Sequence, residues 1–544
     1  METRLMNRET AKELGYTQIQ QWIPVKSPYG KLEKEKQRCY LPGEEGLLEQ
    51  EFDLMEEMKT LIDQNPDFKK VLEKGLRGLK DLRTTLDRLM AGDLLRELEL
   101  FEIKSQVLQM EVLRRELDAF PLHSLKKYCP RGLTALVALL DPDDTGVNSF
   151  YIYSSYSEKL RELREALEKN RSEIQRETAR IHQQIEAYSQ MKPQSNGEIR
   201  VSRGNPQLIE RLTQCPDLVI GAEGLREITF RAKGSSQLQL LMEDQAQLQQ
   251  LEEEEALQVR KLLCLQVKAF GEILIKNTLS LGRLDFLWGK IVLGKRMKGT
   301  RPRLMKGDGL ELIQAIHPVV AEGLTSQGRG YTPVDLRLKK GVTLIRGANM
   351  GGKTVTLKLV GLIQALAQSG FYVPARRAQL PLVNQIHLSS GDHQSMTLGL
   401  STFGAEMQGL AQMLKQQERS RLILVDELAR GTNPTESQAL TQAVVDYQAQ
   451  RKDFTLLTTH HSGIALAQGT TCLEVVGLRE MTLEALEQAM TSGMGIGEVL
   501  ESHMDFRLVE VDQSREAPME ALKIAQLMGV EGEIIQRAKE LLKK

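Results

Sequence analysis

The sequence predicts a chain of several domains, helical over about its first 310 residues and organised around a parallel α/β sheet after them. Its 544 residues exceed the usual length of one domain. Aromatic residues make up only 5% of the chain, which is typical of long helical segments. Beyond residue 310, short β-rich runs alternate with helical stretches. The predicted domains are a helical core or lever at 1–150 and 276–310, a long helical arm at 151–275 with a small tip at about 192–235, an α/β domain at 311–516 and a helix-turn-helix at 517–544.

Charge and cysteine content narrow the class of protein. The 72 Lys and Arg residues against 73 Asp and Glu give a formal net charge of −1, so composition supplies no basic footprint for nucleic acid. The five cysteines lie far apart and form no C-x-x-C pair, which argues against a disulfide framework or a structural zinc and fits a reducing compartment. Neither a run of about 18 apolar residues nor an apolar N-terminal segment is present in the sequence. We therefore expect a cytoplasmic protein with no membrane partner.

Apolar spacing in the first half predicts the helical arm. One uninterrupted helix is predicted from about residue 153 to 191, because its apolar side chains fall at heptad spacings. They are Leu160, Leu163, Leu167, Ile174, Ile181, Ile185 and Tyr188. A second long helix is predicted at about 237–270, and short β-like runs with Pro and Gly separate the two. An antiparallel arm with a small globular tip is the economical interpretation, and two amphipathic helices folded into a bundle are the alternative.

A phosphate-binding motif lies between a predicted strand and a predicted helix. Gly347–Thr354 reads GANMGGKT, which satisfies G-x-x-x-x-G-K-[ST]. Its glycines let backbone N–H groups turn toward a β-phosphate, and the following helix N-terminus favours negative charge. Lys353 would reach the β- and γ-phosphates, and the Thr354 hydroxyl would ligate Mg²⁺. The motif predicts a nucleoside triphosphate and Mg²⁺ as cofactors, with Gly347, Asn349, Gly351, Gly352, Lys353 and Thr354 as binding residues.

Two later strands end in polar residues suited to the same chemistry. The apolar run Leu422–Val425 is followed by Asp426, expected to hold the metal, and by Glu427, expected to deprotonate the attacking water. The run Phe454–Thr458 leads to His460, the favoured candidate for sensing the γ-phosphate, with His461 as the weaker candidate. A solvated or capping histidine is the alternative interpretation.

The second half of the chain resembles the ATPase domain of the MutS family, the ABC-type ATPases of DNA mismatch repair and their relatives. The resemblance rests on six ordered motifs. They are AIHPV (315–319), YTPVD (331–335), GANMGGKT (347–354), LSTFGAEM (400–407), VDELARGT (425–432) and TTHH (458–461). It implies that the nucleotide is ATP and that the chain is a P-loop ATPase working as a head-to-tail dimer, either of two identical chains or with a related subunit.

The resemblance also assigns roles to single residues. It implies that Ser401 reaches the γ-phosphate bound by the other subunit, and that Arg430, Gly431 and Thr432 line the shared interface. Tyr331 stands where the family stacks an aromatic ring on adenine. The C-terminal helix-turn-helix would pack against the partner's ATPase, or, in the alternative, cap the chain's own sheet.

Two departures from the family pattern qualify the resemblance. The chain is similar to a short branch of the family, so we expect it to lack both the mismatch-recognition domain and the C-terminal nuclease domain. Ala348 occupies the position of the family's usual proline in the phosphate loop, a change that keeps every phosphate-binding group.

We expect ATP binding and hydrolysis to switch the dimer between two states, and the cargo of this switch has two candidate identities. The first is DNA, mismatched, branched or duplex, clamped between paired arms through Arg200, Arg203, Arg231 and Lys233 of the tip. The tip holds seven basic and five acidic side chains, so its basic excess is small and ordinary solvated charges are the alternative interpretation. The second candidate cargo is a protein client such as a cobalamin-dependent aminomutase, remodelled by the same ATP-driven switch without a role for DNA.

Overall fold

The fold is that of a computed structural model of the chain. The structure describes residues 5–347, 351–390, 402–415, 420–429, 432–461, 463–466, 468, 470–477, 504–511, 522, 525–526 and 529–542. Contacts divide the chain into two compact units. The first unit consists of Met1–Arg77, Phe120–Tyr128 and Ser280–Lys544, and the second of Gly78–Ala119 and Cys129–Leu279.

The described α-helices are α1 Arg8–Glu13, α2 Tyr16–Gln21, α3 Pro28–Glu35, α4 Glu45–Gln64, α5 Pro66–Arg77, α6 Arg83–Ala91, α7 Glu97–Leu117, α8 Thr134–Leu140, α9 Glu158–Ser189, α10 Pro206–Thr213, α11 Ser236–Lys268, α12 Gly271–Arg296, α13 Pro318–Ser326, α14 Lys353–Gln368, α15 Thr402–Lys415, α16 Pro434–Ala449 and α17 Gly532–Leu542. Short 3-10 helices lie at Ser124–Tyr128 and Ser154–Tyr156. The strands are β1 Glu198–Ser202, β2 Leu218–Glu223, β3 Glu227–Ala232, β4 Arg303–Leu304, β5 Gly309–Ala315, β6 Val334–Lys339, β7 Gly341–Arg346, β8 Arg377–Leu380, β9 Ile386–Ser390, β10 Leu422–Asp426, β11 Phe454–Thr459, β12 Thr470–Gly477 and β13 Asp505–Glu510. None of these helices is long and apolar enough to cross a membrane.

In the second unit, α9 and α11 pack against each other in opposite directions. Side-chain contacts join the start of α9 to the far part of α11 and the far part of α9 to the start of α11: Ser157 Oγ lies 2.8 Å from Glu255 Oε1, and Ser235 Oγ lies 2.7 Å from Glu177 Oε1. Between the two helices in sequence lies an antiparallel sheet of order β1-β3-β2. Its core contains Phe230 and packs against the end of α9. The use of this element as a DNA clamp stays a prediction.

A buried ion pair organises the start of this helical region. Lys104 Nζ lies 3.0 Å from Asp141 Oδ1 and 2.9 Å from the Tyr153 hydroxyl, and all three side chains are buried. Burial favours the neutral form of Asp141, but hydrogen bonds from Thr145, Lys104 and the Gly146 amide outweigh it and lower the pKa of Asp141 to about 2. The carboxylate is therefore stabilised in its charged form.

The first unit is built on a six-stranded sheet of order β13-β12-β7-β11-β10-β9. Neighbours from β12 to β9 run parallel, and β13 is antiparallel to β12. Strands β7, β10 and β11 are buried at every position, as expected for parallel strands covered on both faces. One face packs on α14 and the other on α15 and α16. The predicted combination of helical segments with a later α/β sheet is confirmed.

The N-terminal segment is part of this first unit. Leu5, Leu14 and Ile19 belong to the same apolar core as α14, and the Ile386 amide donates to the Leu5 carbonyl at 2.7 Å. The sequence placed 1–150 in one helical domain, whereas the contacts group Met1–Arg77 with the sheet. The domain boundaries drawn from the sequence stay a prediction. Of the predicted helix-turn-helix, the structure describes α17 and a few residues before it.

Candidate functional site

The predicted phosphate loop connects β7 to α14. Gly347 has φ 141° and Gly352 has φ 74°, both in the region that favours glycine over residues with a Cβ atom. A Cβ at Gly352 would also lie 3.2 Å from the Phe506 ring. Helix α14 begins at Lys353, so its first-turn N–H groups and dipole are available to an anion beside the loop. Within the loop, residues 348–350, including the predicted ligand Asn349, lie outside the described residues.

Asp426 joins the helix start to two neighbouring strands. The Thr354 hydroxyl donates to Asp426 Oδ2 at 2.8 Å, and the Thr458 hydroxyl donates to Asp426 Oδ1 at 2.7 Å. The three residues meet because β10 and β11 are parallel neighbours that end at the same sheet edge. A hydroxyl and a carboxylate are hard oxygen ligands of the kind Mg²⁺ prefers, so the residues present fit this metal.

Glu427 lies next to the lysine of the loop. Its Oε1 is 3.3 Å from Lys353 Nζ, and only 4% of each side chain is exposed. Lys353 Nζ also donates to the Gly347 carbonyl at 2.5 Å. Because both charges are buried, their mutual attraction offsets part of the cost of removing each of them from water. The predicted phosphate-binding lysine and the predicted general base are therefore energetically coupled.

The two histidines after β11 have different surroundings. His460 Nδ1 lies 3.7 Å from Glu427 Oε2, and 49% of the His460 side chain is exposed. His461 Nε2 lies 3.0 Å from the Ser437 hydroxyl, and burial together with neighbouring His460 lowers the pKa of His461. His460 is thus the histidine beside the carboxylate, as the favoured sensor should be, although the sensing role stays a prediction.

An apolar pocket of roughly 100 Å³ lies beside the phosphate loop. Tyr331, placed there by the family resemblance, lines it together with Gly352, Val355 and Phe506. Burial raises the pKa of the Tyr331 hydroxyl. Sequence analysis missed Phe506, because only the pairing of β13 with β12 brings this residue to the loop. The lining therefore offers a flat aromatic base two aromatic side chains, those of Tyr331 and Phe506.

The residues predicted to face a second subunit are mostly outside the described part of the chain. Ser401, Arg430 and Gly431 are in that group. Thr432 is described, and its hydroxyl donates to Glu436 Oε2 at 2.9 Å on the exposed start of α16. The trans-interface roles of all four residues stay predictions.

The predicted DNA contacts of the tip are largely engaged with acids. Arg200 and Arg231 lie 3.5 Å and 3.0 Å from the carboxylate of Glu198. Arg203 lies 3.1 Å from Glu223. Lys233 is exposed, and none of the ion pairs among the described residues includes it. The tip therefore offers less uncompensated positive charge than its four cations suggest.

At one edge of the sheet, a nucleoside triphosphate would meet backbone amides, an ammonium group and a carboxylate suited to magnesium. This combination of groups defines the class of P-loop ATPases. Comparison with known families narrows this assignment. Residues 343–544 match the model of MutS domain V. This part of the chain is therefore a MutS-type ATPase domain, which confirms the resemblance found in the sequence.

Individual relatives extend the match beyond the ATPase domain. Endonuclease MutS2 of Geobacillus sp. (strain WCH70) is 29% identical over 409 residues, which cover 71% of this chain and 49% of the relative. Endonuclease MutS2 of Bacillus cytotoxicus is 28% identical over 432 residues, covering 75% and 52%. Endonuclease MutS2 of Thermus thermophilus is 34% identical over 246 residues, covering 45% and 32%. The chain thus spans about half the length, or less, of these curated relatives.

Proposed function

We propose that the chain binds ATP with Mg²⁺ at the Gly347–Thr354 loop, hydrolyses it, and works as a dimeric switch that clamps DNA. The observation that carries the ATPase part is the contact network of four buried or half-buried residues at one sheet edge. They are Lys353, Thr354, Asp426 and Glu427. The aromatic pocket at Tyr331 and Phe506 supports a purine base beside the phosphates.

Each residue of the network has a defined task in this proposal. Thr354 and Asp426 would hold Mg²⁺, which when bound would neutralise charge on the phosphate oxygens. Lys353 would exchange its contact with Glu427 for an oxygen of the β- or γ-phosphate. Glu427, released by that exchange, would accept a proton from the attacking water. His460 would donate a hydrogen bond to the γ-phosphate.

The dimer is the second part of the proposal. Ser401 of one subunit would reach the γ-phosphate held by the other, with Arg430, Gly431 and Thr432 at the interface. ATP would then favour the closed state by binding between two surfaces, and hydrolysis would remove that preference. An identical chain and a related subunit both satisfy this geometry.

The relatives carry the name endonuclease and therefore act on nucleic acid, which supports DNA over a protein client as the proposed cargo. No feature of the described residues or the comparisons favours a protein client such as an aminomutase. Because the arginines of the tip are paired with acids, the proposed clamp would recognise DNA shape with few phosphate contacts, led by Lys233.

Binding to labelled duplex, mismatched and branched DNA tests the proposal. A Glu427→Ala chain that keeps ATP should bind at least one of these at low salt with ATP and more weakly without it. Lys353→Ala, expected to lose ATP, is the matched control and should show no dependence on nucleotide. Absence of binding to every DNA form at low salt with ATP would contradict the DNA part and leave the ATPase part standing.

A further inference from the structure

The backbone turn that follows β10 has an unusual conformation. Glu427 has φ 49° and Ala429 has φ 61°, in the left-handed region that residues other than glycine rarely adopt. Such a conformation persists where the surrounding structure fixes it, and it occurs often at functional sites. Because Glu427 is itself the proposed general base, whatever fixes this turn also fixes the position of the carboxylate.

Two residues on elements next to β10, Thr458 and Ser437, fix the turn. The Glu427 amide lies 3.2 Å from the Thr458 carbonyl and 3.1 Å from the Thr458 hydroxyl on β11. The Ser437 hydroxyl on α16 donates to the Leu428 carbonyl at 3.0 Å. These neutral contacts hold the first two residues of the turn.

A further contact comes from a buried carboxylate on α15. Glu406 Oε1 accepts the Ala429 amide at 2.9 Å, and only 5% of Glu406 is exposed. A hydrogen bond from an amide to a carboxylate is charge-assisted and stronger than one between neutral groups. Helix α15 begins at Thr402, directly after Ser401, the residue proposed to reach the other subunit's nucleotide. The hydrogen bond from the Ala429 amide therefore connects this helix to the turn that contains Glu427.

We propose that Glu406 is a positioning residue for ATP hydrolysis. It accepts the Ala429 amide and so keeps Glu427 where its carboxylate meets the attacking water. The inference rests on the proposed function, since Glu427 acts as a base only if the chain hydrolyses ATP. Glu406 contacts the backbone of the turn in this proposal, whereas Lys353, Thr354 and Asp426 bind the phosphates and the metal. Loss of Glu406 should therefore change turnover and leave nucleotide affinity unaltered.

The test compares three variants of the full chain. Glu406→Met fills the buried volume without a comparable acceptor and should lower kcat about 10- to 100-fold, the range expected for one hydrogen bond to a charged group. Glu406→Gln keeps an acceptor oxygen and should stay within about threefold of wild type, because the amide carbonyl can take the same hydrogen bond. Gln412→Ala, on the exposed face of the same helix, is the matched control and should not change kcat. Binding of a fluorescent ATP analogue should be equal in all four proteins.

Hydrogen exchange gives a readout that does not depend on turnover. The Ala429 amide should exchange faster in Glu406→Met than in wild type, and Glu406→Gln should restore its protection. Wild-type kcat in Glu406→Met, equal loss of kcat in Met and Gln variants, or loss of nucleotide binding and folding in both variants would each overturn the inference. A wild-type chain that binds ATP but never hydrolyses it would instead contradict the proposed function, and the inference would fall with it.

Discussion

Replacing Glu427 by alanine should separate ATP binding from hydrolysis and reveal the coupling to Lys353. The substitution leaves the Lys353 ammonium, 4% exposed, without a carboxylate that lies 3.3 Å away. Breaking a buried pair from one side costs about 3–5 kcal/mol, and the contact of Lys353 with the Gly347 carbonyl argues for the lower end. At about 2 °C per kcal/mol for a unit of this size, the melting temperature without nucleotide should fall by about 6 °C.

ATP should reverse this loss, because its phosphate oxygens supply the negative charge that Lys353 lacks in the variant. Wild type must break the Lys353–Glu427 contact to bind ATP, so the variant should bind up to about 100-fold more tightly. Turnover should fall by about 10²- to 10⁴-fold with the loss of a general base. Thermal unfolding with and without Mg-ATP, together with phosphate release, measures all three effects.

An exposed acid of the same domain provides the control for this experiment. Asp446→Asn on α16 removes an exposed carboxylate whose hydrogen bond comes from Gln442, and it should change stability by less than about 0.5 kcal/mol. Surviving hydrolysis in Glu427→Ala would show that another group is the base. Equal ATP-induced stabilisation of wild type and variant would show that Lys353 and Glu427 are not coupled.

Three further predictions concern other parts of the chain. Phe506→Ala should weaken ATP binding about 10-fold, because stacking on the base is lost. Binding of inorganic triphosphate, which has no base, should not change, and competition with a fluorescent nucleotide measures both affinities. Lys233→Glu should weaken DNA binding more than Arg203→Glu, because Arg203 already contacts an acid. Lys233→Glu should also reduce the slope of log DNA affinity against log salt concentration by about 1, and equal slopes in the two variants would contradict this. The folded pKa of Asp141, about 2, lies below its unfolded value, so its hydrogen bonds from Thr145 and Lys104 stabilise the fold above about pH 4. This stabilisation is lost as pH falls toward 2, so between about pH 5 and pH 3 the urea midpoint should fall less steeply in Asp141→Asn than in wild type.

Local periodicity of the sequence was sufficient to predict the helices and strands that depend on residues close together along the chain. The helices predicted at about 153–191 and 237–270 correspond to α9 and α11 within five residues at every end, since a heptad pattern is long and strongly periodic. The phosphate loop was predictable because its chemistry requires glycines, Lys353 and Thr354 within eight consecutive positions.

Features that depend on distant pairing could not be predicted in the same way. Phe506 stands in an ordinary β-rich run, and its place beside Gly352 follows from strand order in the sheet. Glu406 was visible as part of a motif, but nothing in its spacing indicates that it accepts the Ala429 amide. The helical character of the N-terminal residues was predictable, whereas the burial of α1 and α2 against α14 was not, because an amphipathic pattern identifies a buried face without identifying what covers it.

The charge of the tip shows why a count of residues cannot decide the cargo. The net charge of −1 counts each charged side chain as if it acted independently of its neighbours. Arg203 does not act independently, because it lies 3.1 Å from Glu223. Exposed pairs of this kind contribute about 0–1 kcal/mol, so a DNA phosphate could replace the acid at small cost. An arginine that only exchanges partners releases fewer counterions than a free cation does. If the tip binds DNA as proposed, its ion pairs should reduce the salt dependence of that binding without preventing it, so the salt slope tests the proposed cargo more directly than affinity at one salt concentration.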